Sequence, residues 1–170
     1  MDDDPSQNKK HDYEEENNLT DVPESKRIEN LEIMLKQNSN SICKIIENQK
    51  TKGTGFLCII PFPDILNQLP VLMTCEHVLH QKDIIEGKII EFSMDNDKIY
   101  HKIKIDSSRK VYTSSTYDTT IIEIKTEDGL NINLFLEIDN DIFTVPIKYY
   151  MSKSIYMLHY PYGKDSEYTI

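Results

Sequence analysis

The sequence has no run of about 18 or more apolar residues, which excludes a transmembrane helix. Its first residues, MDDDPSQNKKHDYEEENN, lack the basic start and apolar stretch of a secretory signal, so an intracellular, cytoplasmic protein is expected. Basic residues are scarce: 19 Lys and Arg stand against 29 Asp and Glu, a formal net charge of −10. Neutralising phosphates takes clustered Lys and Arg, so neither nucleic acid nor an anionic membrane is an expected partner. Cysteine is sparse and odd in number. Cys43, Cys58 and Cys75 cannot pair completely within one chain, which fits a reducing compartment.

What is present is unevenly spread. Residues 1–40 hold eleven acidic side chains against five basic ones, a net −6, which leaves −4 for the other 130 residues. Residues 1–18 are acidic and amide-rich with almost nothing apolar to set against the entropy of ordering, so they read as a disordered tail. Across 19–40, Ile28, Leu31, Ile33, Met34 and Leu35 recur at near-helical spacing. Pro23 suits a first helical turn and Thr20 or Asp21 a cap, predicting a short amphipathic helix packed on the surface of the following domain.

From Ser41 the pattern turns to strands. Ile42 to Ile46 alternates up to a turn-like break at Asn48-Gln49-Lys50. Gly53 and Gly55 allow a sharp turn or a close backbone approach before a strand over Phe56–Ile60, which Pro61 and Pro63 end. Pro70–Thr74 resumes the sheet and delivers His77 at its end. Val78 to His80 suits a helical turn and Gln81–Gly87 a loop. Segments 88–93 and 98–105 flank the Asp/Asn-rich turn at 94–97. In the second of them Ile99, Ile103 and Ile105 are expected inward, with His101 a tolerated edge position. Arg109–Tyr112 is a short strand, and Asp118 opens another over Ile121, Ile122 and Ile124. About six strands with little helix predict an all-β antiparallel barrel or sandwich over 41–126. Thr126–Asp141 reads as a surface linker and Ser154–Tyr160 as a further strand.

Three of these pieces belong together. Gly53-Thr54-Gly55-Phe56, then Leu72-Met73-Thr74-Cys75-Glu76-His77-Val78, then Asp118 with Ile121, Ile122 and Ile124 resemble the first half of a trypsin-like (chymotrypsin-fold) serine peptidase. The resemblance covers roughly 41–163. It implies a six-stranded antiparallel barrel over 41–126, with 127–170 a linker and the beginning of a second barrel. Near Pro161-Tyr162-Gly163 the family commonly shows Gly-Tyr-Pro-x-Gly, and His159 stands where that first glycine would be. Val78 rather than cysteine follows His77, so the chain is closer to the disulfide-free branches.

By that resemblance His77 is the general base and Asp118 the carboxylate that orients it, in the order His, Asp, Ser. They are 41 residues apart, against roughly 45 in the chymotrypsin order, and the two side chains are expected within hydrogen-bond reach. The template places the serine roughly 90 residues beyond the Asp. Only 52 residues follow Asp118, and none reads Gly-x-Ser-Gly. Ser152, Ser154 and Ser166 lack the flanking glycines of an oxyanion-binding turn.

The expected function is therefore a serine peptidase, present as a fragment or truncated form without its nucleophile and inactive alone, with a polypeptide substrate or protein partner and no cofactor. A non-catalytic relative whose exposed strand edges pair with another chain is the alternative, and an unrelated intracellular β-domain a third. In blander terms His77 is a structural histidine and Asp118 a turn residue. Cys75, His77 and His80 cluster in sequence but form no closed four-ligand pattern, so no metal is expected. Cys75 would sit behind the base rather than act as a nucleophile, and Glu76 is expected to be solvated.

Overall fold

A computed structural model describes residues 28–64, 66–151, 155–161 and 167–169. The acidic tail over 1–18, the capping residues Thr20, Asp21 and Pro23, the serines 152, 154 and 166, and Tyr162 and Gly163 lie outside the described residues. The chain is mostly antiparallel β, with a curled sheet preceded by a short helix. No helix among the described residues is long and apolar enough to cross a membrane.

Helix α1 spans Ile28–Asn40. Only Met34 buries its side chain, while Ile28, Leu31, Ile33 and Leu35 stay exposed, so the expected packing of an apolar face reduces to one anchor. The strands are β1 (Ile42–Glu47), β2 (Lys50–Pro61), β3 (Gln68–Thr74), β4 (Ile89–Met94), β5 (Ile99–Lys104), β6 (Val111–Ser114), β7 (Thr119–Glu123) and the two-residue β8 (Leu136–Glu137). Seven of them run in the order β5-β4-β1-β2-β3-β7-β6, and β8 adds to β2 in parallel. Seven strands lie on this path where about six were expected, with residues 105–110 connecting β5 to β6. The two ends of the path, β5 and β6, are thus consecutive in the chain, and this curls the sheet.

Turn chemistry sets the registers. Asn48 and Gln49 both take positive φ, 51° and 63°, as a two-residue hairpin between Glu47 and Lys50 requires. Asp95, Asn96 and Asp97 do the same between β4 and β5. Gly53 and Gly55 make no turn: they lie inside β2, opposite Ile45 and Cys43. A Cβ on Gly55 would stand 2.9 Å from Ile45 Cδ1 and 3.0 Å from Cys43 Sγ, so glycine there is a matter of close approach.

One face of the sheet holds the main core: Cys43, Ile45, Leu57, Leu72, Ile90, Phe92, Ile103 and Ile122, joined by Val78 and Leu79. On β5, Ile103 is buried but Ile99 is 43% exposed, correcting the inward assignment. His101, expected at a tolerated edge, stacks on Phe92 with ring centroids 5.4 Å apart, and that packing replaces the methyl contacts Ile99 was to make.

Alternation puts Ile42, Lys44, Cys58 and Val71 on the opposite face, where they too are buried. Tyr160 lies over this face, buried, with its backbone N–H donating to Thr54 Oγ1 at 2.9 Å and its ring 5.1 Å from Lys44 Nζ. Lys44 in turn donates to Asp97 at 2.8 Å. Close to it, β9 (Met157–His159) and β10 (Glu167–Thr169) form a separate two-stranded sheet.

The segment expected to be a surface linker is instead tied down. Asp128 makes a two-pronged pair with Arg109, at 2.6 and 3.0 Å, with both side chains buried. Arg109 also donates to the Glu123 carbonyl at 2.6 Å. Further on, Phe135 enters the main core, and Ser41 Oγ donates to the Leu134 carbonyl at 2.6 Å. Similarly, Gln81–Ile85, expected as loop, is a short helix, α2. The reason is Asp83, whose buried carboxylate accepts the His80 N–H at 3.1 Å and pairs with Lys88.

Arg109→Met leaves the Asp128 charge buried without its partner, and is expected to lower the free energy of unfolding by about 3–5 kcal/mol. Replacing both residues, Arg109→Met with Asp128→Leu, should recover most of that. Urea denaturation of the two variants beside the parent checks this; a single variant within about 0.5 kcal/mol of the parent contradicts it.

Candidate active site

Strand β3 runs between β2 and β7, with Leu72 facing the core and Thr74 Oγ1 donating to the Thr54 carbonyl at 2.8 Å. Immediately after it the chain turns. The Cys75 carbonyl accepts from the N–H of Val78 and of Leu79, both at 3.2 Å, closing one helical turn. Val78 and Leu79 then drop into the main core, and the Leu79 carbonyl accepts the buried Thr120 hydroxyl at 2.8 Å. His77 sits on the outer side of this pinned turn with its side chain 67% exposed. Gly53 leaves the room for it: a Cβ there would fall 2.6 Å from Val78 Cγ2, so any larger residue presses on the anchor that holds the turn.

Asp118 arrives from the neighbouring hairpin. β6 and β7 pair with Ser114 opposite Thr119, leaving 115–118 as the connection. Asp118 ends it with φ 46°, a left-handed conformation that aspartate tolerates better than most residues. Because β7 lies antiparallel to β3 with Thr120 opposite Thr74, the residues just before Thr120 meet those just after Thr74. Positions 41 residues apart in the chain thereby become lateral neighbours.

The contact is made at two points. The His77 backbone N–H donates to Asp118 Oδ1 at 3.0 Å, and His77 Nδ1 lies 2.7 Å from Oδ2. An ionised carboxylate only accepts, so Nδ1 carries the proton of the neutral ring and Nε2 keeps its lone pair. The backbone bond fixes the carboxylate relative to the residue that bears the ring, leaving the imidazole little freedom to turn. Those bonds, the His77 backbone N–H first and the ring second, hold the Asp118 carboxyl below the usual carboxylate range. With Asp118 itself 49% exposed, the pair aligns the ring more than it stabilises the fold.

Cys75 completes the cluster. Its thiol sulfur lies within 4.8 Å of the Asp118 carboxylate, and burial first, then the Asp118 charge, pushes the thiol up. Such a thiol is a poor nucleophile, and it stands on the carboxylate side of the ring. A sulfur, an imidazole nitrogen and a carboxylate oxygen, from Cys75, His77 and Asp118, all lie within 4.8 Å of one another. His80 is not part of that group; its backbone N–H meets Asp83, and its ring is 3.4 Å from Glu76. Glu76, expected to be merely solvated, also accepts the Gln81 N–H at 3.3 Å and so helps cap α2. The closeness of Cys75 to Asp118 was the part missed in the sequence, where Cys75's place two residues before His77 was its only signal.

The chain matches no protein-family model, no curated protein and no solved structure. A histidine with Nδ1 tied to a carboxylate and a free Nε2 is equipped to take a proton from a hydroxyl and give it to a leaving group. Ser152, Ser154 and Ser166 lie outside the described residues.

Asp118 titrates lower in the fold than in the unfolded chain, so its contribution to stability is complete at neutral pH and drains away as pH falls through the folded value. Following its carboxyl carbon by NMR should place the midpoint below the usual carboxylate range. His77→Ala keeps the backbone donor, the larger cause, and should raise the midpoint only part of the way. A full return to an ordinary value in His77→Ala contradicts the two-point contact.

Proposed function

We propose that this chain carries the base and orienting carboxylate of a trypsin-like serine peptidase, its curled sheet being the first barrel and β9 with β10 the beginning of the second. The observation that carries the reading is the paired contact from one carboxylate to the backbone N–H and Nδ1 of one histidine. It supplies the tautomer and the ring orientation that serine attack on a peptide carbonyl requires. The order of the strands supports it too, since β3 delivers the base, β7 the acid, and the two are adjacent.

In that mechanism His77 Nε2 takes the hydroxyl proton as a serine attacks the scissile carbonyl, and passes it to the departing amine. Asp118 keeps the Nδ1 proton in place and offsets the charge of the imidazolium. The serine and its oxyanion donors come from outside these 170 residues, which contain no Gly-x-Ser-Gly. A polypeptide is the substrate, and the three free cysteines suit a cytoplasmic setting. Without a serine the same fold is a non-catalytic relative that binds another polypeptide.

Fluorophosphonate labelling separates these. The 170-residue chain made alone should stay unlabelled. The gene product isolated from its own cells should label, and His77→Ala in that product should slow labelling by about 10²–10⁴-fold, the range for loss of a general base. A native product that never labels overturns the peptidase reading in favour of the binding module.

A further inference from the structure

Three chemically different metal ligands meet at the end of β3 and the start of β7. We propose that Cys75, His77 and Asp118 form a binding site for a soft divalent cation of the zinc type, and that occupying it takes the imidazole out of use as a base. Only these three side chains are needed, so cation binding here is independent of the peptidase reading.

Their donor atoms lie within 4.8 Å of one another. Tetrahedral zinc with bonds of about 2.0–2.3 Å spaces its ligands about 3.3–3.7 Å apart. The sulfur therefore needs at most a small inward movement, and the 2.7 Å separation of Nδ1 and Oδ2 must open by roughly 0.6 Å. Both move on exposed side chains, His77 at 67% and Asp118 at 49%, so an ion also has a way in. The frame beneath them does not have to move. Cys75 is held by the carbonyl that closes the 75–79 turn, and Asp118 Oδ1 keeps the His77 N–H while Oδ2 turns to the ion. That retained bond is the outer support metal-ligating carboxylates commonly have.

The donor set selects the metal. Thiolate and imidazole favour zinc and its analogues, whereas magnesium and calcium demand oxygen ligands. Three protein ligands leave the fourth position to water. On binding, the Cys75 thiol gives up its proton to solvent as the metal–sulfur bond forms. The imidazole proton leaves Nδ1, which now binds the ion, and the neutral ring carries it on Nε2 instead. Nε2 then offers a hydrogen rather than a lone pair.

Cobalt(II) serves as a spectroscopic stand-in for zinc. Titrated into the full chain, it should give a thiolate-to-cobalt charge-transfer band saturating at one ion per chain, displaced by zinc. Cys75→Ser should abolish the band, and Asp118→Asn should weaken binding at least 10-fold, with unfolding midpoints confirming that both variants fold. On the unaltered protein, zinc should block alkylation of Cys75, as mass spectrometry of the labelled peptide reads directly. No band at stoichiometric cobalt, an unchanged band in Cys75→Ser, or Cys75 alkylated equally with and without zinc each overturns the site.

Discussion

The register between β3 and β7 is the constraint from which the candidate site follows. Thr120 stands opposite Thr74, and its hydroxyl reaches the Leu79 carbonyl. That one hydrogen bond ties the start of β7 to the far end of the His77 turn. A slip of one residue would turn Thr120 and Ile122 to the other face and carry Asp118 away from the ring. Burial of Leu72 and Ile122 in the common core makes that slip expensive, so apolar packing holds a polar contact in place.

Around this register the molecule is fastened from two sides. The 105–110 connection joins the end strands, and the buried Arg109–Asp128 pair pins the following segment beneath it. On the face opposite the main core Tyr160 covers Lys44, and Cys58 and Val71 lie buried, while α1 buries only Met34. Apolar side chains nonetheless remain in the open at both ends of the chain, among them Ile28, Leu31, Ile147, Met151 and Ile155.

The sequence made the strands, the hairpin turns and the His77 and Asp118 positions legible for local reasons. Asn48-Gln49 and Asp95-Asn96-Asp97 are residues that accept positive φ, and Pro61 ends the strand it was expected to end. His77 stood out because an apolar strand led to it. What stayed hidden depends on partners distant in the chain. Nothing near Arg109 announces that it will be buried against Asp128, and nothing near Lys44 announces Asp97. The choice between Ile99 and His101 turned on stacking with Phe92, a tertiary effect that outweighs hydropathy. The segment after Thr126 looked like a linker because its anchors, Asp128 and Phe135, are single residues in a polar run. Gly53 and Gly55 were legible as special but ambiguous, since close approach and sharp turning use the same residue.

Asp118 is expected to dictate the tautomer of the His77 ring. Nitrogen-15 NMR of the imidazole at neutral pH measures that state directly. The expected result is that the neutral form of the ring carries its proton on Nδ1, with Asp118→Asn shifting the population toward the Nε2-protonated tautomer. A ring already protonated on Nε2 in the unaltered protein, or one indifferent to Asp118→Asn, would contradict it.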